Sequence, residues 1–266
     1  MVEPAENLKS KLEKLLATTY SAPKRETVHR LRTSIRRAEA VTDVGKKWKR
    51  LRRRAGRVRD LDVQSQLLEG LKLPGDARQE ELLKAMGEER QREAQKLVAR
   101  LDAAHRRRLK RRLERAPAAA PKTGNLLERF QALDKRYAKL DASNLHAFRK
   151  ECKQLRYRAE AAGADELAAL FERIQDAIGA WHDWCELAAR AGRFLPPAEA
   201  APLVSPLAEA VADHAATALA VSAAIRRELR ARLRGEYRAG VDRGAGVARK
   251  PPTGAFAPGL TGRRSA

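Results

Sequence analysis

Apolar residues recur every three or four positions along most of this 266-residue chain, which is the spacing that places them on one face of an α-helix. Leu8, Leu12, Leu15 and Leu16 form the first such stripe and predict a short amphipathic helix over residues 6–19. The same spacing predicts further helices over residues 24–71 with a break near Gly45, 77–115 after a turn at 73–76, 125–140, 143–162, 165–194, and from the proline-bearing stretch 196–206 to about Tyr237.

Prolines and glycines indicate how these helices are grouped. Residues 116–124 hold two prolines and a glycine, so we expect a linker there between a first half, 6–115, and a second half, 125–238. Residues 1–5 are expected to form a flexible N-terminus. Residues 239–266 are rich in Gly, Pro and Arg and predict a disordered basic tail.

The composition favours helices over sheets. Ala, Leu, Arg, Glu and Lys dominate and aromatic residues supply only 5%, and these unbranched side chains lose little freedom in a helix. Hydrophobic residues make up 43% of the chain, which is enough to bury a core. We therefore predict an all-α protein.

The charge of the chain narrows the classes of partner. Lys and Arg number 56 against 34 Asp and Glu, which gives a formal net charge of +22. Such an excess attracts polyanions, so nucleic acid, anionic lipid and inorganic polyphosphate are the classes to consider. Charge alone does not choose among them.

Other simple classes find no support in the sequence. The two cysteines, Cys152 and Cys185, have no CxxC or zinc-type spacing, so neither a disulfide framework nor a structural metal is expected. No stretch reaches the roughly 20 apolar residues of a membrane span. We expect a cytoplasmic protein without a cofactor or a membrane partner.

An internal repeat is the most informative feature of the sequence. VHRLRTSIRRAEAV at 28–41 resembles LHAFRKECKQLRYRA at 145–159, and GRVRDLDV at 56–63 resembles GAWHDWCE at 179–186. The aligned pairs are His29 with His146, Arg32 with Arg149, Arg36 with Lys153, and Arg59-Asp60 with His182-Asp183.

In both copies the repeat places cations beside an apolar seam. At 100° per residue, His29, Arg32 and Arg36 fall within about 60° of one another. The adjacent seams consist of Val28, Leu31, Ile35 and Ala38 in the first copy and of Leu145, Phe148, Cys152, Leu155 and Ala159 in the second. Cations on one such helix could be a solvated face, but the repetition at the same phase favours a shared anion-binding surface.

These paired segments resemble the CHAD domain, the conserved-histidine α-helical domain. The motifs VHRLRTSIRR, GRVRDLDV, LHAFRKECKQLRY and IQDAIGAWHD occur in the family's order, and the resemblance covers about residues 6–238. It implies two helical bundle lobes related by a pseudo-twofold around a central basic groove or pore. It also implies binding of long-chain inorganic polyphosphate, often at polyphosphate granules, without catalysis.

The resemblance assigns the polyphosphate-binding roles to a set of polar side chains on the repeated helices. They are His29, Arg32, Arg36 and Arg37 in the first half and His146, Arg149, Lys150, Lys153, Arg156 and Tyr157 in the second. Glu39 and Gln154 stand where the family commonly has basic residues, so this groove is expected to be less evenly charged. Histidines among these cations predict affinity that rises as the pH falls, through His29 and His146.

The basic segment 46–59 has two faces. Arg52 and Arg59 lie nearer its apolar stripe and are the better groove candidates. Lys46, Lys49, Arg53 and Arg57 share another face, which could belong to the groove or to solvent. The cations of residues 106–112 surround most of a helix, so a surface role is expected there.

The acidic residues of the second repeated segment leave two interpretations open. Asp60 and Asp183, with His182, are expected to hold cationic side chains in position, while an Asp60-x-Asp62 metal site is the lesser alternative. His182-Asp183 also resembles part of the metal-dependent HD phosphohydrolases, but the several converging ligands that such chemistry needs are missing. Nonspecific nucleic-acid binding at low salt remains the other alternative to polyphosphate, although few aromatic residues accompany the basic stretches.

Overall fold

The computed structural model describes residues 5–41, 43–71, 76–115, 126–194 and 201–245. These residues form nine α-helices and no strand, which confirms the predicted all-α class. The helices are α1 (Ala5–Ser21), α2 (Arg25–Val41), α3 (Gly45–Gly70), α4 (Ala77–Val98), α5 (Ala103–Glu114), α6 (Leu126–Arg136), α7 (Leu145–Ala161), α8 (Asp165–Phe194) and α9 (Ala201–Ala245).

The helix predicted over 77–115 is in fact two helices. Val98 ends α4, and Asp102 begins α5 by accepting a hydrogen bond from the His105 amide at 2.7 Å. A cap of this kind satisfies an amide at the start of a helix that has no partner within it, so it favours a new helix over a continued one. The spacing of apolar residues predicted one continuous helix, and this cap was not predicted.

The last helix is longer than predicted at both ends. It begins at Ala201 and includes Pro206, which the sequence placed ahead of the helix, and it continues past Tyr237 to Ala245. After Pro206 the next proline is at residue 251, so every backbone amide from 207 to 245 can donate a helical hydrogen bond. Residues 239–245, predicted to be part of the tail, are therefore helical, while the predicted linker at 116–124, most of the turn at 73–76, residues 1–4 and residues 246–266 lie outside the described residues.

Two glycines separate the repeated helices from their neighbours. Gly45 has φ +73° and starts α3 after the predicted break, and its amide donates to Asp43 Oδ1 at 3.0 Å. Gly163 has φ +68° just after α7, where the Ala164 amide donates back to the Ala159 carbonyl at 2.9 Å. Glycine suits both positions because other residues adopt positive φ only at a cost.

The chain divides into two compact units, residues 1–226 and residues 227–266. In the second unit, the described residues continue α9. In the described part of the first unit, one apolar cluster joins α1, α2, the N-terminal part of α3, the end of α4 and α5, and another joins the C-terminal part of α3, α4, α8 and the start of α9.

Helix pairing in the first unit follows the internal repeat. The first copy supplies α2 and α3 and the second copy supplies α7 and α8, and the helices of each pair pack along each other. In addition, α2 contacts α7 and α3 contacts α8. Equivalent helices of the two copies therefore meet, which brings their cationic edges together.

The positive φ of Gly45 yields a stability prediction. Gly45→Ala should lower the free energy of unfolding by about 1–2 kcal/mol, because an alanine at φ +73° is strained. Gly87→Ala is the control: Gly87 lies inside α4 with open space around it, so alanine there should stabilise by about 0.5–1 kcal/mol. Chemical denaturation measures both, and equal effects of the two substitutions would contradict the argument.

Candidate functional site

The predicted apolar seams of α2 and α7 are buried. Val28, Leu31, Ile35 and Ala38 are fully inaccessible to solvent, and the seam of α7 is buried over its whole length. This confirms the helical phase from which the positions of the cations were predicted.

A cavity of about 520 Å³ lies along the cationic edges of these helices, and we call it the cationic cavity. Side chains of α2, α3, α7 and α8 line it, so both copies of the repeat contribute. The lining residues are His29, Arg32, Thr33, Arg36, Arg37, Arg59, Asp60, Gln64, Arg149, Lys153, Arg156, Tyr157, Glu172, Gln175, Asp176, His182, Asp183 and Glu186.

Most of the site residues predicted from the sequence are in this lining, and three are not. Arg52 is held by Glu39 at 2.9 Å, on the same side of α3 as Arg59. Lys150 is exposed on α7, one position past Arg149 and turned away from the cavity by the helical rotation. His146 packs against His182, with ring centroids 4.7 Å apart, and so reaches the cavity through a residue that lines it.

Each copy of the repeat seats an arginine against a glycine of the next helix. A Cβ atom added to Gly56 would lie 3.5 Å from Arg32 Nε, and one added to Gly179 would lie 3.1 Å from Arg149 Nη2. Arg149 Nε also donates to the Gln175 carbonyl at 3.3 Å. The two glycines occupy equivalent places in the aligned repeats. Their role was not predicted from the sequence, although their alignment at the start of both segments could have indicated it.

An ion pair joins the two copies of the repeat at the cavity wall. Arg59 Nη1 of α3 lies 3.3 Å from both carboxylate oxygens of Asp183 on α8, and 3.4 Å from Asp60 Oδ1. Asp60 and Asp183 are the equivalent aspartates of the repeat. Both therefore form ion pairs with Arg59. Asp62, the other aspartate of the possible metal site, pairs with Arg90 at 2.8 Å.

The crowded cations of the cavity lower one another's pKa values. Burial lowers the pKa of Arg32, and Arg59, Arg52 and Arg149 lower it further, while Asp60 opposes them. Burial likewise lowers the pKa of Arg149, against the opposing charge of Asp183. The pKa of Arg36 falls to about 10, through burial and the charge of Arg32.

Lys153 is the most strongly affected of these groups. Burial lowers its pKa to about 6, with further contributions from Arg36, Arg149, Arg32 and Arg52. Its Nζ atom also lies 5.9 Å from the centroid of the Tyr157 ring. At neutral pH this side chain is therefore largely an uncharged amine within a cluster of arginines.

Three carboxylates in the lining were not predicted. Glu172, Asp176 and Glu186 lie on the same face of α8 as Asp183, because the intervals are close to whole turns. Glu172 pairs with Arg156 at 2.9 Å, and burial raises the pKa of Asp176, as does the charge of Glu172. Extending the helical register backwards and forwards from Asp183 would have identified all three.

The described residues do not provide a set of ligands for the metal site that the sequence left as an alternative. Within the described ranges, no group of three or more His, Cys, Asp or Glu side chains is arranged to hold a metal ion. Burial lowers the pKa of His146, and the neighbouring His182 lowers it further.

Across the described residues, no helix is both long and apolar enough to cross a membrane.

Comparison with known proteins identifies the family. A crystal structure of the CHAD domain from the plant Ricinus communis has the same fold with a TM-score of 0.55, at 20% sequence identity, over 85% of this chain and 89% of that one. No curated protein matches the chain. The family model of the CHAD domain matches residues 6–192, which confirms the resemblance read from the repeated motifs. The protein therefore belongs to the CHAD domain family.

Proposed function

We propose that the protein binds inorganic polyphosphate in the cationic cavity. The observation that carries the proposal is the convergence of Arg32, Arg36, Arg149 and Lys153, from both copies of the repeat, on one cavity. Membership of the CHAD family supports the same ligand. A polymer with about one negative charge per phosphate relieves the mutual repulsion that lowers the pKa values of these groups.

The cavity also contains hydrogen-bond donors that lack acceptors. Among the described residues, Nε of Arg36 and Nε of Arg59 are buried and have no hydrogen-bond partner. Buried donors without partners are costly, and phosphate oxygens are the acceptors that an arginine fork fits best. An incoming phosphate chain would therefore supply both the charge and the acceptors that the free protein lacks.

The contacts support a two-lobed arrangement in which the groove lies on a pseudo-twofold axis. The pair Arg32 and Gly56 in one half matches the pair Arg149 and Gly179 in the other. The equivalent helices of the two halves also contact each other. On this proposal each lobe contributes one cationic edge, and the polymer lies between them.

The lining favours polyphosphate over single-stranded nucleic acid. Tyr157 is the one Phe, Tyr or Trp side chain among the described lining residues, so bases would find little to stack on. We further propose that the protein acts by binding and not by catalysis, in the cytoplasm and at polyphosphate granules. A polyphosphate chain longer than the cavity would leave free segments through which the protein could be held at such a granule.

Replacing one arginine in each half tests the site. Arg32→Ala with Arg149→Ala should weaken polyphosphate binding by roughly 100-fold or more, because each lost charge-assisted contact costs about 1.5–3 kcal/mol. Affinity should also become less sensitive to salt: the magnitude of the slope of log affinity against log salt should decrease by about 1.4. Titrations at several salt concentrations, with folding checked by circular dichroism, give both quantities.

The control for that experiment removes the same charge elsewhere. Arg107 and Arg111 are exposed on α5 and lie outside the cavity, so Arg107→Ala with Arg111→Ala should change affinity by less than about threefold. Equal losses in the two double variants would mean that net charge governs binding and would overturn the proposal.

Lys153 predicts how binding depends on pH. The ligand favours the charged amine, so binding takes up a proton and affinity should rise about three- to tenfold from pH 8 to pH 6. Below about 6 the free protein is already protonated and the rise should stop. Lys153→Met should remove most of this response. An exposed lysine of α6 is the control, as Lys135→Met, and His29→Ala with His146→Ala measures the share of the histidines.

The same lysine predicts a stability effect in the free protein. Its folded pKa lies below that of an unfolded lysine, so the unfolded state binds more protons between pH 6 and about 10, and stability rises with pH over that range. Lys153→Met should therefore raise the free energy of unfolding at pH 7 by about 1–3 kcal/mol, less than the full shift implies because solvent still reaches the side chain. Denaturant titrations at pH 7 and pH 9 test this, and a variant less stable than wild type at pH 7 would contradict it.

The absence of catalysis is tested by the release of phosphate. Incubation with long-chain polyphosphate and Mg²⁺, Mn²⁺ or Zn²⁺ should liberate no orthophosphate above that of a protein-free control. Release that disappears in Asp183→Asn would instead support the phosphohydrolase alternative.

A further inference from the structure

A second cavity, of about 210 Å³, lies between the N-terminal part of α3 and α5, and we call it the α3–α5 pocket. Leu51 and Leu109, both buried, supply its apolar lining. Trp48 Nε1 donates to the Leu109 carbonyl at 3.2 Å and so joins the two helices next to the pocket. The remaining lining consists of five cations and a histidine, which are Lys47, Arg50, Arg54, Arg100, Arg108 and His105.

This pocket and the cationic cavity lie on different faces of α3. At 100° per residue, Lys47, Arg50 and Arg54 fall within about 60° of one another. The side of α3 that carries Gly56 and Arg59 is roughly opposite. The two sites share no lining residue, so each can be altered without touching the other.

Among the described residues, the cations of the pocket lack counterions, whereas several other cations on the same helices have them. Elsewhere on the same helices, Lys49 pairs with Asp43, Arg57 with Glu93, and Lys110 with Glu13. None of the five lysines and arginines of the pocket forms an ion pair with any described residue.

His105 completes the pocket in a fixed orientation. Its Nδ1 lies 2.7 Å from Asp102 Oδ2, in the residue that also caps α5. This contact holds the ring, so that Nε2 is the nitrogen left to meet a ligand. The pocket thus combines an arginine cluster with one positioned imidazole.

We propose that the α3–α5 pocket is a second binding site for condensed phosphate. The choice of ligand rests on the proposed function, whereas the site itself rests on its own residues. Its volume equals that of roughly seven water molecules at about 30 Å³ each, which suits a compact run of a few phosphates. Its described lining offers forked donors and no Phe, Tyr or Trp side chain, so it suits phosphate groups better than bases.

Two separate sites on one chain change what a long polymer can do. A polyphosphate chain held in one site has free length with which to reach the other site or a second copy of the protein. The second contact then forms at a high effective concentration, so long chains should bind more tightly than short ones and should cross-link copies. Short chains should occupy the two sites independently.

Calorimetric titration of the full chain with tripolyphosphate tests the proposal. Wild type should bind two equivalents. Lys47→Gln with Arg54→Gln should bind one, at the affinity of the cationic cavity. Lys46→Gln with Arg53→Gln is the matched control: it removes a lysine and an arginine one position earlier on the same helix, from exposed side chains outside the pocket, and should still bind two.

Light scattering with long-chain polyphosphate supplies the second readout. Wild type and the Lys46/Arg53 control should form cross-linked assemblies near equivalence. The Lys47/Arg54 variant, with one site per copy, should bind along single polymer chains without cross-linking them. Two equivalents of tripolyphosphate retained by the Lys47/Arg54 variant would overturn the proposal, as would equal losses in the control. Displacement of tripolyphosphate from the pocket by an oligonucleotide at lower phosphate concentration would also overturn it, since the ligand would then be nucleic acid.

The two proposals fail in different ways. If Arg32→Ala with Arg149→Ala still binds both equivalents while Lys47→Gln with Arg54→Gln loses one, the cationic cavity is not a phosphate site and the α3–α5 pocket is. The reverse pattern removes the pocket and leaves the proposed function standing. No binding of tripolyphosphate by wild type would overturn the inference about the pocket.

Discussion

The structure of this site depends on holding like charges together against their repulsion. Arg32, Arg36 and Lys153 share one cavity, and burial together with the neighbouring arginines lowers the pKa of the lysine to about 6. The apolar seams of α2 and α7 offset that repulsion, since each fully buried aliphatic side chain contributes about 1.5–3 kcal/mol. The core thus fixes the cations in a crowded arrangement that a mobile surface would relax.

Carboxylates limit this repulsion without removing it. Asp183 pairs with Arg59 across the two copies of the repeat, and Glu39 withdraws Arg52 from the lining. Arg36 and Arg32 have no ion pair with a described residue, so an anion that binds beside them would neutralise charges that the described carboxylates do not pair with. The free protein is therefore stable enough to fold and still gains from a polyanion.

Helical periodicity and internal symmetry made the fold and much of the site predictable from the sequence. The buried phase of α2 follows from Val28, Leu31 and Ile35, and the aligned repeat indicated which cations would meet. The break at Asp102 was not predicted, because it depends on a single capping side chain that the spacing of apolar residues does not reveal. The lowered pKa of Lys153 was also beyond reach, because it depends on the distance between helices that are far apart in sequence.

Divergence between the two copies gives the halves different electrical behaviour. Arg36 and Lys153 occupy equivalent positions in the repeat, and burial lowers the pKa of both. Because an arginine starts from a higher value, Arg36 at about 10 still carries its charge at neutral pH, whereas Lys153 at about 6 does not. The difference between arginine and lysine at this one repeat position therefore gives the first half a permanent cation there and the second half a group that responds to pH and to the bound ligand.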